Sequence, residues 1–246
     1  MKKILLFMAA IAMASCSDDT PPNPTDDVTV VLPSRIVTTK PDGTQLTATY
    51  TYSGNRITTA TYSNGTSESY SYIDQYLTEK RIYQNGGLVE KDVFLYDANG
   101  FAGRVKNYYN LANPSANYSV RSLYTYSGTT VSVTELKGDE NSQTAPYRTL
   151  TLTMATNGNI VKYDDGTTVI NYSYDYFNNP FKNLYAYGIM ILSDYKGGAN
   201  NITGTQTTTG GASVTTFTSY TYNMDYPVTA TTSTADGSQT VMQYTY

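Results

Sequence analysis

Two classes of side chain in this 246-residue sequence could do chemistry: paired carboxylates and tyrosines. Two acids held roughly 5 to 10 Å apart across a sugar are the machinery of glycoside hydrolysis. The pairs on offer are Asp164/Asp165, Asp139/Glu140 and Glu90/Asp92. Adjacent residues of a strand face opposite sides, and Asp164-Asp165-Gly166 reads better as a turn, so no catalytic residue is assigned. Asp97-Ala98-Asn99-Gly100 opens like a calcium loop but lacks the further acidic ligands and the closing Glu. It too is read as a turn, and no metal or cofactor is expected. Serines abound, yet there is no Gly-x-Ser-x-Gly elbow and no histidine at all. That absence removes the commonest general base, the commonest metal ligand and every His-based triad. The chain reads as a non-enzyme.

The 26 tyrosines are arranged with more order. They recur as Tyr50/Tyr52, Tyr70/Tyr72, Tyr124/Tyr126, Tyr172/Tyr174/Tyr176, Tyr185/Tyr187, Tyr220/Tyr222 and Tyr244/Tyr246, usually alternating with Thr or Ser. On a concave sheet such rows would make a stacking surface for sugar rings. The plainer reading is that they pair across strands and fill a wide barrel, each pair contributing roughly 0.2 to 1 kcal/mol. The sequence assigns no individual tyrosine to a ligand.

The elements that would carry these residues are strands. Asn-Gly and Asp-Gly steps, with their relatives, supply the positive φ of hairpin turns. They stand at Pro41-Asp42-Gly43, Ser53-Gly54-Asn55, Ser63-Asn64-Gly65, Asn85-Gly86-Gly87, Asp97-Ala98-Asn99-Gly100, Asn157-Gly158, Asp164-Asp165-Gly166 and Asp236-Gly237. Between them lie short runs of Thr, Tyr, Val and Ile, which suit a pleated surface. A parallel sheet needs crossovers of about a dozen residues or more, for which there is no room. Strand-turn-strand units of about 20 residues repeat from Arg35 to Tyr246. The expected fold is all-β: an antiparallel up-and-down meander of about 14 strands, curled into a barrel or half-barrel because so wide a sheet does not stay open.

One segment departs from the pattern. Asn178 to Leu184 is a poor strand, since Pro180 removes a donor, and Tyr185 to Leu192 is the most apolar run beyond the N-terminus. Residues 178–192 are expected either to plug one mouth through a loop with a short helical turn or to form another hydrophobic strand. Lys137 to Pro146 and Gly197 to Gly211 are expected as the longest exposed loops.

The N-terminus reads as an address. Met1-Lys2-Lys3 precedes an apolar run, Ile4 to Ala14, of signal-peptide length and too short for the roughly 20 residues of a spanning helix. It ends at Met13-Ala14-Ser15-Cys16, which resembles a bacterial lipobox with Met13 in place of the usual Leu. Residues 1–15 are therefore expected as a lipoprotein signal peptide, with Cys16, the single cysteine, as the lipidated first residue. Residues 16–30, with Pro21, Pro22 and Pro24, are expected as an extended tether, and 31–246 as one β domain. Cleavage leaves 14 basic against 20 acidic residues, a charge near −6. That balance excludes nucleic acid, whose backbone is bound through clustered Lys and Arg. Ser17-Asp18-Asp19 resembles the acidic tract of surface-exported lipoproteins of Bacteroidetes, and Ser17 after Cys16 argues against inner-membrane retention.

Leu95-Tyr96-Asp97-Ala98-Asn99-Gly100 is similar to YD or Rhs-type repeats, whose dipeptide Tyr174-Asp175 also keeps. The lipobox, the hairpins and Asp175-Tyr176-Phe177-Asn178-Asn179-Pro180-Phe181-Lys182-Asn183-Leu184 together resemble a family of Bacteroidetes surface lipoproteins of unknown function, described as porin-like in fold. The resemblance implies a barrel and a surface location, and it carries no functional residues. A membrane-crossing barrel would need an apolar outer band about 25 Å tall, which neither the Thr nor the Tyr face supplies. The expectation is a lipid-anchored, outer-membrane, surface-exposed binding or interaction module for a glycan or a protein. A structural envelope scaffold and a carboxylate-dependent glycosidase are the alternatives.

Overall fold

The computed structural model describes residues 30–246. The expected signal peptide, the lipidated Cys16 and nearly all of the tether lie outside the described residues. Sixteen strands follow one another in antiparallel order. They are β1 (Arg35–Thr39), β2 (Gln45–Ser53), β3 (Arg56–Tyr62), β4 (Thr66–Ile73), β5 (Tyr76–Gln84) and β6 (Gly87–Asp97). Then come β7 (Gly100–Tyr108), β8 (Tyr118–Ser127), β9 (Thr130–Gly138), β10 (Gln143–Met154) and β11 (Ile160–Asp164). The last are β12 (Thr168–Asn178), β13 (Asn200–Thr209), β14 (Ala212–Asn223), β15 (Tyr226–Ser233) and β16 (Gln239–Thr245). Every strand pairs with its sequence neighbours, and β1 pairs with β16 from Arg35↔Thr245 to Thr39↔Val241, so the barrel is closed.

The period of two sets both faces. In β2 the inner positions Ala48, Tyr50 and Tyr52 are covered while Thr49, Thr51 and Ser53 are exposed. The same holds around the wall, where Thr59, Thr61, Ser71, Ser132, Thr134, Thr149, Ser219, Thr221 and Thr245 stand exposed on the outside. The outer surface is thus mainly hydroxyl-bearing.

The repeated Tyr-x-Tyr has a mechanical reason. The ladder slips by a residue at Tyr52, Tyr72, Tyr96, Tyr174 and Tyr222. A bulge of this kind interrupts the ladder and leaves a backbone group to be satisfied another way. Tyrosine hydroxyls supply the donors, reaching across to the preceding strand. Tyr96 donates to Leu77 O at 2.7 Å, Tyr126 to Phe101 O at 3.0 Å, Tyr174 to Ile160 O at 2.6 Å and Tyr246 to Pro227 O at 2.9 Å. Those acceptors stand opposite the slips at Tyr72, Tyr96, Met154 and Tyr222. Tyr52 makes the corresponding bond to Pro33 O, just before β1, at 2.7 Å. The hydroxyl of Tyr72 is buried without a partner among the described residues.

Between β12 and β13 the chain turns inward. Phe181 and Leu184 lead into the helix α1 (Tyr187–Asp194), which closes one end of the barrel. Ile191 packs with Val131, Val133, Leu150, Leu152 and Ile160 of the wall, and Leu184 packs with Leu32, Ile57 and Ala60. Backbone and amide bonds fix the segment to the rim: Tyr185 N–H donates to Asn55 O at 2.8 Å, and Asn183 Nδ2 donates to Val31 O at 3.1 Å and to the Tyr226 hydroxyl at 2.7 Å. On the return, Gly198 passes so close that a Cβ there would lie 2.6 Å from Asn159 Cα, which only glycine permits. The plug expected from 178–192 is therefore present, as a loop followed by a helix rather than a strand.

The expected antiparallel barrel is present, with sixteen strands against about 14. Two expectations are corrected, the first being Gly197 to Gly211, which is chiefly β13 rather than a loop. Its Thr-rich run offers Ile202 as the one large apolar residue to mark a strand, and Asn201 fixes its start: Asn201 is 1% exposed and donates through N–H to Asp175 Oδ1 at 3.1 Å and through Nδ2 to Asn178 O at 3.1 Å. Likewise Lys137 to Pro146 is a short turn between the ends of β9 and β10, with Pro146 accommodated at a register shift.

The tyrosine latch can be tested by a matched pair of substitutions. Tyr96→Phe should lower stability by about 0.5–1.5 kcal/mol, the loss of one hydrogen bond with a buried carbonyl left behind. Tyr72→Phe, which removes a hydroxyl lacking a partner, should be neutral or stabilising. Urea-unfolding midpoints check both, and equal losses would contradict the latch.

Candidate functional site

The inner wall is not uniform. On β4 to β10, charged residues fall in phase with the inward tyrosines: Glu68 with Tyr70 and Tyr72, Glu90 and Asp92 with Tyr96, Arg104 and Lys106 with Tyr108, Glu135 and Lys137 with Val131 and Val133. Cross-strand register then sets opposite charges side by side, Lys80 facing Asp92, Asp92 facing Lys106 and Glu135 facing Arg148. Lys106 Nζ lies 2.8 Å from Glu90 Oε1 and 4.0 Å from Asp92 Oδ1, and Lys80 Nζ is 3.5 Å from Glu68 Oε2. Arg148 Nε donates to Glu135 Oε2 at 2.5 Å.

The plug reaches this wall through Tyr195. Its backbone is left-handed, φ 56°, at the C-terminal end of α1, a conformation costly for a bulky residue and held only where surroundings impose it. Here its hydroxyl donates to Glu135 Oε1 at 2.6 Å, an oxygen that also accepts from Ser122 Oγ at 3.1 Å. The Arg104 and Arg148 guanidinium carbons lie 5.9 Å and 5.8 Å from the Tyr195 ring centroid, within cation–π range. Beyond Tyr195, toward the mouth opposite α1, a small polar cavity of about 110 Å³ is lined by Arg104, Lys106, Tyr108, Tyr118, Glu135, Tyr147 and Arg148. An apolar groove of about 550 Å³ beside α1, with Leu184, Ile189 and Ile191 in its walls, offers only Lys182 as a charged group.

No family model matches the chain. No curated protein matches it either. Among solved structures it is similar to the crystal structure of a porin-like protein from Bacteroides vulgatus ATCC 8482, with a TM-score of 0.59 at 8% sequence identity, over 88% of this chain and 98% of that one. The fold is porin-like. The likeness extends to the architecture and not, at such identity, to particular residues.

Within this porin-like barrel the acids singled out from sequence part company. Asp164 and Asp165 form the β11–β12 turn: Asp164 Oδ1 accepts Gly166 N–H at 3.0 Å and Asp165 Oδ1 accepts Thr168 N–H at 2.8 Å. Asp139 likewise accepts Asn141 N–H at 2.9 Å, while Glu140 pairs with Lys91 at 2.5 Å on the exposed side. Asp97 accepts Asn99 N–H at 2.7 Å in its turn. Glu90 and Asp92, two residues apart, do share the inner face, and both meet Lys106. The charged wall itself was not anticipated. Its signal was partly present in the alternation, since Glu68, Glu90, Asp92, Arg104, Lys106, Glu135 and Lys137 are each an even number of residues from an inward tyrosine or valine of their own strand.

Electrostatics distinguishes the two buried acids. Burial pushes the Asp92 carboxyl up, against the opposing pull of Arg104 and Lys106. Burial acts in the same sense on Glu135, but the hydrogen bonds from Arg148 and Tyr195 outweigh it and hold this carboxyl below its ordinary 4.5. Tyr163, which donates to Asp165 Oδ2 at 2.7 Å and receives Arg148 Nη1 at 3.3 Å, is pushed up to about 12, mainly by burial.

The signs give a pH prediction. A carboxyl lowered on folding contributes stability that is complete above its unfolded pKa and lost as pH falls through the folded one. Asp92, being raised, works in the opposite sense, so loss on acidification belongs to groups like Glu135. Glu135→Gln should melt below wild type at about pH 6, with the gap closing toward about pH 3. A gap independent of pH would contradict the role given to this ion pair.

Proposed function

We propose that the protein is a lipid-anchored binding module on the outer-membrane surface, which takes a glycan at the barrel mouth opposite α1 without catalysing its turnover. The carrying observation is the asymmetry of the barrel. At one end α1 fills the lumen, and the chain enters there: Val31 O accepts from Asn183 and Leu32 packs on Leu184. A tether from Cys16 arrives at that plugged end. At the other end the inner wall keeps polar groups in reach of solvent, with Lys137, Tyr147 and Arg148 exposed.

The outer wall favours the same reading. Membrane-crossing barrels carry an apolar band toward lipid, whereas the outward positions here are largely Thr and Ser. A lipid on Cys16 would hold such a barrel at the membrane without burying it. The porin-like architecture of the Bacteroides protein is in keeping with an outer-membrane setting. Binding rather than catalysis is favoured because Glu68, Glu90, Asp92 and Glu135 each already stand against a cation.

The full chain carrying Cys16→Ala should leave the membrane for the soluble fraction and can be titrated against neutral, sulfated and uronate-containing glycans. Saturable binding by the native form alone, absent after heat denaturation, is expected. Silence across the panel would overturn the reading.

A further inference from the structure

We infer that the inner wall of β7–β10 is a site for the anionic group of an acidic saccharide, a uronate carboxylate or a sulfate ester; this rests on the glycan-binding reading. The chain as a whole is acidic, with 20 Asp and Glu against 16 Lys and Arg. Yet four cations, Arg104, Lys106, Lys137 and Arg148, gather on this one stretch of wall, facing Glu90, Asp92 and Glu135. Asp194 at the end of α1 is the remaining acid whose charge reaches Arg104.

Two of the cations are not fully used by the fold. Arg104 is 4% exposed, and its Nε and Nη1 have no hydrogen-bond partner among the described residues. Its nearest carboxylate, Asp92 Oδ2, stands off at 3.9 Å, beyond hydrogen-bond distance. A buried guanidinium with unpaired N–H groups is costly, and an oxyanion is the acceptor it is built to take. Lys137 makes no ion pair among the described residues. Its ammonium instead lies 4.2 Å from the Tyr118 ring centroid and 5.5 Å from that of Tyr147, at the rim of the cavity.

The polar lining of the cavity suits a small charged group. At about 110 Å³ it has room for a carboxylate or sulfate head together with bound water. The ring attached to that head would lie farther out, where Tyr147 is 50% exposed and presents an aromatic face. A head that fits the cavity and a ring that meets Tyr147 describe an acidic sugar better than an acidic peptide.

The test is calorimetric titration of the full chain carrying Cys16→Ala with four probes: an oligomer of linked galacturonic acids, the same oligomer as its methyl ester, a sulfated disaccharide and a glutamate-rich peptide. The uronate or the sulfated sugar should bind, and esterification should weaken the uronate by about tenfold or more. Lys137→Gln, at an exposed side chain outside every ion pair, should fold normally and weaken the same ligand by about tenfold. Arg104→Gln should abolish binding; because it removes one of the cations around the buried Asp92, its melting temperature is measured alongside, and Lys137→Gln carries the test if it unfolds. Equal binding of acid and ester, unaffected by Lys137→Gln, would overturn the anionic site while leaving glycan recognition standing. Binding of the peptide with the sugars silent would overturn both.

Discussion

A closed barrel of sixteen strands encloses more space than wall side chains can fill, since about eight strands already suffice for a side-chain-packed interior. That width is the constraint from which the rest of the molecule follows. Unfilled, it would leave inner apolar residues wet and their packing lost. The chain answers differently at its two ends. At one, the insertion between β12 and β13 brings Ile191, Leu184 and Phe181 into the lumen and gives Leu152, Ile160 and Ala60 something to pack against. Toward the other, it replaces apolar filling by ion pairs and tyrosines, which tolerate water. Tyr195 joins the two regimes: it belongs to both the apolar cluster around Ile191 and the hydrogen bonds of Glu135.

Tyrosine suits both regimes because its ring packs while its hydroxyl reaches a polar partner. In the plugged half the hydroxyls of Tyr52, Tyr96, Tyr174 and Tyr246 satisfy carbonyls near the rim. In the charged half Tyr70 donates to Glu68, and Tyr195 to Glu135. The outer face has the complementary economy, with hydroxyl pairs such as Thr221/Thr229 at 2.6 Å joining neighbouring strands.

This division explains what was legible in the sequence. Turn chemistry and the Tyr/Thr alternation act locally, so the meander, its antiparallel order and the inward set of the tyrosines could be read directly. The plug was half legible: Pro180 and the apolar run Tyr185 to Leu192 marked an irregular insertion, but a buried strand would have used the same residues. Closure was not local, because it depends on β1 meeting β16 across the whole chain. β13 was missed because its Asn-, Gly- and Thr-rich run lacks the Tyr/Thr alternation of the other strands, and its ladders to β12 and β14 are not visible locally. The charged wall was missed for a related reason. Glu135, Arg148 and Tyr195 look like ordinary surface residues until register and the helix end bring them together.

Hydrogen–deuterium exchange on the full chain carrying Cys16→Ala tests the central claim most directly, namely that the sixteen-strand barrel is closed and plugged. The amides of β1 and β16 should exchange as slowly as those of β8 and β9, and the amides of α1 should be protected with them. Fast exchange at β1 and β16, or an α1 that exchanges like an open loop, would contradict it.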